Sequence, residues 1–287
     1  GMKQAAVLAR EAIQNSVDAA QDPDEPVRVD FRFRRLEGAE RRDFETAAGL
    51  DEMLAREADL GLPASNILRR ADGPLDLLYI DDYGTTGLHG DPTDPSSNLR
   101  KLLMDLGGSE KAQDGGGTGG SYGFGKAVYS SNSRIGTIFA FSRTESADGA
   151  PLSLLMGCAY QSGHMREGIR YTGRAWLGQG VVVPGHGVRY DPLLGEEAER
   201  AAEALGFERD GDDPGTSLLL IDAGVEPEDV VAGIEDWWWP RIEARLLDAD
   251  VFTAWGEVYR PRPKKRAHLK PFIDAYDSAV GKVDIPG

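Results

Sequence analysis

By the spacing of its apolar residues, the chain begins with a helical pattern over residues 3–21, which the polar, proline-bearing stretch from Asp22 to Pro26 ends. Val27, Val29, Phe31 and Phe33 then alternate with Arg28, Asp30, Arg32 and Arg34, the period-two signature of a half-exposed strand. Residues 43–70 read as mostly helical, with breaks at Gly49 and from Gly61 to Pro63. Leu75 to Ile80 is a short buried strand that stops at Asp81 and Asp82. Residues 84–125 are rich in Gly, Ser, Thr and Asp, with a helix expected near residues 98–106. A connection that long inside a compact domain is usually functional or disordered. Strands are expected at 135–142, 152–160 and 215–221, with an acidic helix at 196–205 among them. A helix over 230–247 carries Trp237, Trp238, Trp239 and Pro240, and a last strand follows at 251–259. No internal repeat is visible, and strands and helices in this irregular order predict an α+β fold, a two-layer sandwich.

Composition narrows the function classes. The 287 residues are 40% hydrophobic and 28% charged, as in a globular protein, and no apolar run approaches the roughly 20 residues of a membrane span. Gly1 and Met2 look like a cleavage scar with no signal peptide behind them, so a cytoplasmic protein without a membrane partner is expected. The formal charge of −16 repels phosphate backbones over most of the surface, which argues against a dedicated nucleic-acid reader. Cys158, the single cysteine, lies in an apolar run and reads as a buried structural thiol. His89, His164, His186 and His268 lack the short spacing that protein-held zinc prefers.

Candidate chemistry begins on the first helix. Glu11, Asn15 and Asp18 stand at i, i+4 and i+7, so they share a stripe about 60° wide. Ala6, Ala9, Ile13, Val17 and Ala20 occupy the other side, by which the helix should pack. Asp82-Tyr83-Gly84-Thr85-Thr86-Gly87-Leu88 follows a strand directly, placing a carboxylate at its end and glycines where the backbone turns. Such a carboxylate can accept a hydrogen bond from an exocyclic amine. Gly120-Ser121-Tyr122-Gly123-Phe124-Gly125-Lys126 is a glycine-rich turn opening a helix, whose first amides can cradle phosphates while Lys126 adds positive charge. Gly215-Thr216-Ser217 starts an apolar strand, where a hydroxyl could reach a purine. Each signal alone is common: a solvated helix face, an Asp-x-Gly turn, a flexible glycine loop.

Taken in order, the series Glu11-x-x-x-Asn15-x-x-Asp18-Ala19, Asp82-x-Gly84 with Gly87, Gly120-x-x-Gly123-x-Gly125, and Gly215-Thr216 resembles the motifs of the gyrase, heat-shock chaperone, histidine kinase and MutL (GHKL) ATPases, over residues 5–222. Ser109-Glu110-Lys111 is similar to the lid of MORC-type and chaperone members. The resemblance implies a Bergerat-type α/β sandwich over residues 1–258, its mixed, mostly antiparallel sheet carrying helices on one face, with ATP and Mg2+ as cofactors. It implies Glu11 as the general base, Asn15 as the Mg2+ ligand, and Asp18 in direct or second-layer contact. Asp82 would accept the adenine amino group, with Asp81 as the neighbouring alternative. Gly84, Gly87 and Leu88 would form the floor of the base pocket, and Thr216 would complete the adenine network. Gly120, Ser121, Tyr122, Gly123, Phe124, Gly125 and Lys126 would close over the phosphates. One departure is that two residues, Thr85 and Thr86, separate Gly84 from Gly87 where the commoner pattern has one.

Histidine kinases usually carry asparagine where Glu11 stands, so Glu11 favours attack by water. A histidine-kinase-type phosphotransferase and a non-hydrolysing, ATP-dependent interaction module are the alternatives. The basic, proline-bearing stretch from Arg260 to Lys270 reads as a solvated linker that could also touch nucleic acid. Residues 259–287 therefore read as a linker and the start of a following domain, through which a nucleic-acid or protein partner would act. An ATP-gated homodimer is a further implication. Three adjacent indoles cannot all face one core, so at least one tryptophan should meet a second domain or a partner.

Overall fold

A computed structural model describes residues 3–59, 73–91, 94, 97–104, 124–146, 148–185, 187–209 and 213–280. In chain order its elements are α1 (Gln4–Asp18), β1 (Val27–Leu36), α2 (Gly38–Ala47), α3 (Leu50–Asp59), β2 (Leu75–Tyr83), α4 (Asn98–Met104) and α5 (Phe124–Ser131). There follow β3 (Thr137–Glu145), β4 (Pro151–Tyr160), β5 (Arg174–Leu177), β6 (Leu193–Leu194), α6 (Gly195–Ala204), β7 (Gly215–Ile221), α7 (Pro227–Glu243), β8 (Leu247–Phe252), β9 (Val258–Tyr259) and α8 (Lys270–Val280). The nine strands form one mixed sheet in the order β6-β4-β3-β7-β2-β1-β8-β9, with β5 also on β4. β1 and β8 run parallel, from Val27 opposite Leu247 to Arg32 opposite Phe252. The other pairings in this sheet are antiparallel. Two small hairpins, His164–Arg166 with Ile169–Tyr171 and Gln179–Val183 with Gly187–Asp191, stand outside it.

The α+β class and the mixed, mostly antiparallel sheet agree with expectation, but the confinement of helices to one face does not. One face packs Leu78, Ile80, Ile138, Ala140, Leu218 and Leu220 against α1, α4, α5 and α7. The opposite face packs Leu77, Tyr79, Phe139, Phe141, Leu219 and Ile221 against α2, α3 and α6. The physical reason lies in β2, β3 and β7, the middle of the sheet, where successive residues are apolar rather than alternating. A strand apolar on both sides needs cover on both. The molecule is therefore three layers deep.

α1 is gripped on two sides, by the sheet and by α7, and buries Ala5, Leu8, Ala9, Ala12, Ile13 and Ser16. That surface is wider than the one-sided pattern expected from sequence, and it includes a serine. The tryptophan run divides as its geometry requires: Trp238 is buried in the core, Trp239 meets Tyr276 of α8 edge-on, with ring centroids 5.8 Å apart, and Trp237 stays exposed beneath the Arg10 guanidinium. The segment after β9 lies along α7, where the Arg262 amide donates to Glu235 (2.7 Å) and Lys264 pairs with Glu243 (2.8 Å). Among the described residues no helix is long and apolar enough to cross a membrane. Cys158 is buried on β4, and burial pushes its thiol up to about 12.

Glu57 on α3 is a local liability. It is 4% exposed, among the described residues neither carboxylate oxygen has a hydrogen-bond partner, and the nearby Gln161 amide, which donates to the Ile135 carbonyl (3.1 Å), offsets the burial only in part. Burial pushes its carboxyl up to about 7. An acid raised in the folded state costs nothing when protonated in both states, and its cost grows as the pH climbs towards the folded value and is complete above it. Glu57→Gln should therefore raise the melting temperature by roughly 2–4 °C at pH 8, equivalent to about 1 kcal/mol after allowance for solvent screening. The gain should fade towards pH 4.5. Thermal denaturation at both pH values checks this, and an equal gain at both would contradict it.

Candidate functional site

The end of β2 builds the centre of the site. Strand alternation turns Asp81 to one face, where Arg32 Nε donates to its Oδ2 (2.7 Å), and turns Asp82 to the other, into a cavity of about 190 Å3. Of the two neighbouring aspartates, Asp82 is the one the cavity receives. Its Oδ1 accepts from Thr85 Oγ1 (2.6 Å) and from the Thr216 amide (2.7 Å), and its Oδ2 accepts from Ser16 Oγ (3.2 Å). Burial raises the Asp82 carboxyl above the usual carboxylate range, and these donors and the Arg209 cation offset that rise only in part.

The turn after β2 is tied on both sides. The Gln21 amide donates to the Gly84 carbonyl and the Thr86 amide to the Ala19 carbonyl, both at 2.9 Å, which fastens the turn to the end of α1. Thr144 Oγ1 donates to the Thr86 carbonyl (2.9 Å) on the β3 side. Ser142 Oγ accepts from the Leu88 amide and donates to the Gly215 carbonyl, each at 2.8 Å. The additional residue in this turn thus has work for both threonines: the hydroxyl of the buried Thr85 serves Asp82, and the Thr86 amide serves α1. Gly87 has φ +67°, and a Cβ there would stand 2.5 Å from the Arg143 carbonyl and 2.7 Å from Ser142 Oγ. Only glycine fits both the backbone and the space.

Around Asp82 the cavity is walled by Ala12, Ala19, Ile80, Leu88, Leu102 and Leu218, an apolar slot with polar groups at its end and rim. Asn15, Ser16, Gly87, Asn98, Lys101, Tyr129 and Thr216 complete it. Asn15 Nδ2 donates to the Tyr129 hydroxyl (2.8 Å), joining α1 to the helix that follows the glycine-rich segment. Asn98 Nδ2 lies 3.2 Å from His89 Nδ1.

The structure therefore brings Asn15, Asp82, Gly87, Leu88 and Thr216 together, drawn from α1, β2, the turn after β2, and β7. Glu11, Asp18 and Gly84 are not in the lining. Glu11 accepts from Arg10 Nε (2.9 Å), one turn along α1 from Asn15. Asp18 is exposed and accepts from Gln14 Nε2 (2.7 Å), because the two-sided packing of α1 rolls the end of the stripe towards solvent. Gly84 turns away, its carbonyl serving Gln21. Gly120, Ser121, Tyr122 and Gly123 lie outside the described residues, as does Ser109-Glu110-Lys111. Phe124, Gly125 and Lys126 begin α5, so a helix does open where the glycine turn predicts one.

Ser16, Asn98, Lys101 and Tyr129 were not anticipated. Ser16 had a faint signal, a polar residue one turn after Ala12 on the buried side of α1. Asn98 and Lys101 stand at i and i+3 on α4, a spacing too common to mark a site. Tyr129 carries no signal until α5 is placed against α1. The chain matches no protein-family model and no curated protein sequence.

Proposed function

We propose that the chain is an ATP-binding domain of the GHKL type, with a Bergerat-type fold and Mg2+-dependent ATP hydrolysis as its reaction, working as a nucleotide-driven conformational switch in a larger protein. The observation that carries this reading is the convergence of Asp82, Asn15, Gly87, Leu88 and Thr216 on one apolar slot. At about 190 Å3 the slot is below the roughly 300 Å3 at which sites for drug-sized molecules begin, and so suits a flat ring rather than a whole nucleotide. Asp82 offers its free acceptor capacity to an exocyclic amine. Adenine carries an amine there, whereas guanine presents a carbonyl, which the carboxylate rejects. Ile80, Leu88, Leu102 and Leu218 supply apolar contact for the ring, and Lys101 adds a cation towards the rim.

Among the described residues no group of three His, Cys, Asp or Glu could hold a metal. Mg2+ nevertheless fits, because it commonly takes one or two protein ligands and fills its shell with phosphate oxygens and water. Asn15 would hold it through the amide oxygen, and the ion would offset phosphate charge. Glu11, one turn along α1, would take the proton of the attacking water once free of Arg10. That Arg10 contact also favours the second reading, a non-hydrolysing module in which ATP only orders a binding surface. A domain beyond residue 258, a protein or nucleic-acid partner acting through it, and an ATP-gated homodimer belong to the same proposal.

Calorimetric titration of the wild type with a non-hydrolysable ATP analogue, with Mg2+ and with EDTA, tests the reading alongside a phosphate-release assay. Binding weakened at least about tenfold by EDTA, together with slow phosphate release, is expected. Binding without release would leave the interaction module. No binding would remove both readings.

A further inference from the structure

Behind Asp82 sits a buried cation that none of the motifs includes. Arg209, in the connection between α6 and β7, is 7% exposed. Its Nη2 donates to the backbone carbonyls of Asp82 (2.7 Å) and Pro214 (3.1 Å), and its Nη1 donates to Ser217 Oγ (3.2 Å). The guanidinium also lies 4.6 Å from the centre of the Tyr83 ring. Its own backbone is fixed, since Arg143 Nη1 donates to the Arg209 carbonyl (3.2 Å) and Arg143 is held by both oxygens of Glu199 on α6, at 2.9 Å each.

The location explains the contacts. The β2–β7 ladder runs from Ile221 opposite Leu77 to Ser217 opposite Asp81 and stops one residue short of Asp82. Past that point the Thr216 amide donates to the Asp82 side chain (2.7 Å), and the Asp82 carbonyl has lost its ladder donor. A buried carbonyl in that position must be satisfied by something else. The planar fork of an arginine reaches both strand ends at once, which a lysine point charge does less well. Arg209 therefore bridges the two strand ends directly behind the carboxylate and the Thr216 amide that bonds to it.

We propose that Arg209 is a positioning residue for base recognition: its guanidinium holds the ends of β2 and β7 together where their ladder stops and sets both the orientation and the charge of the Asp82 carboxylate. This rests on reading the cavity as the adenine site. The groups that face Asp82 are Ser16 from α1, Thr85 from the turn, Thr216 from β7 and Tyr129 from α5. Of the charged groups, Arg209 lies behind it, Asp81 beside it on the other face and Lys101 in the cavity wall. Arg209 is thus the cation that opposes burial of the carboxylate, as the direction of its effect on Asp82 indicates.

The test compares wild type, Arg209→Lys and Arg209→Gln by titration with the non-hydrolysable ATP analogue from pH 5.5 to 8.5. Glutamine keeps a donor for the Asp82 carbonyl and drops the charge, whereas lysine keeps the charge. A protonated Asp82 loses half its acceptor capacity, so affinity should fall as the pH drops through its titration. In Arg209→Gln that fall should move up by about one pH unit, the low end of what an adjacent opposite charge does, and Arg209→Lys should bring it back. A purely structural role would weaken binding equally at every pH. In the wild type, a 13C NMR titration of the Asp82 carboxyl, assigned by its loss in Asp82→Asn, should show it ionised at pH 7. An unmoved pH profile in Arg209→Gln, or a wild-type Asp82 protonated at pH 7, overturns the proposal about Arg209 and leaves the adenine site standing. Absence of binding in the wild type overturns the site itself.

Discussion

Gly87→Ala is expected to lower the melting temperature by roughly 6–12 °C and to remove nucleotide binding. Two costs add at this residue. The left-handed backbone, φ +67°, costs an L side chain about 1 kcal/mol, and the new Cβ would overlap the Arg143 carbonyl and Ser142 Oγ. Neither neighbour can retreat freely: Arg143 lies within β3, and Ser142 Oγ is committed to the Leu88 amide and the Gly215 carbonyl. Together the costs come to about 3 kcal/mol. The damage would fall on the cavity wall, since relief requires the turn bearing Leu88 to shift. Gly168 provides the control, with φ +79° but nothing within 4 Å of its would-be Cβ. Gly168→Ala should show the backbone cost alone and keep nucleotide binding. Equal losses at the two positions, read by thermal denaturation and calorimetry, would mean that the close approach at Gly87 is unimportant.

Glu11→Gln is expected to leave affinity for the ATP analogue within about threefold of wild type while turnover falls by at least about 100-fold, the lower end of what a general base contributes. Affinity in this account comes from the slot, the metal at Asn15 and the cation at Lys101, and Glu11 is outside the cavity lining. The carboxylate needs only to reach a water beyond the terminal phosphate. In the structure it is held by its neighbour Arg10, which itself lies 4.9 Å from the centre of the Trp237 ring, so the pair must separate before the carboxylate can serve. Asn15→Ala should behave differently and lose both binding and turnover, because the ion that offsets phosphate charge goes with the amide. Wild-type turnover in Glu11→Gln, measured by phosphate release, would end its assignment as the base. Labelled phosphate recovered on protein would instead support phosphotransfer.

The site residues that the sequence made legible are those whose position follows from a single strand or turn. Asp82 and Gly87 could be placed because a strand end and a tight turn have few geometries, and Thr216 because it opens the apolar run of β7. Glu11 and Asp18 were placed on one stripe with Asn15 by angle alone. The width of the packed surface on a helix depends on how many neighbours grip it, and α7 is more than 200 residues away along the chain. The second helical layer was readable in principle from the unbroken apolar runs of β2, β3 and β7, whose lack of alternation signals two covered faces. The end of α7 was misread for a similar reason. Leu247-Asp248-Ala249-Asp250-Val251 alternates with period two and opens the strand β8, but its place directly after a helical run extends the expected helix to Leu247 and delays the expected strand to Val251. Tyr129 and Arg209 were invisible, since each gains its meaning only from partners brought beside it by the fold.

The central claim, that Asp82 reads an adenine, is tested most directly by the ratio of ATP to GTP analogue affinities in the wild type and in Asp82→Asn. The Thr85 hydroxyl and the Thr216 amide both donate to Oδ1, so the asparagine oxygen should take that position and its NH2 should face the base. There it would oppose the adenine amine and suit the guanine carbonyl. The wild type should prefer the ATP analogue by at least about tenfold, and in Asp82→Asn ATP-analogue affinity should fall by about 10–100-fold, the cost of a charged hydrogen bond, so that the preference collapses or reverses. A ratio, unlike a single affinity, is insensitive to a general loss of stability. An unchanged ATP affinity with an unchanged ratio would contradict the account.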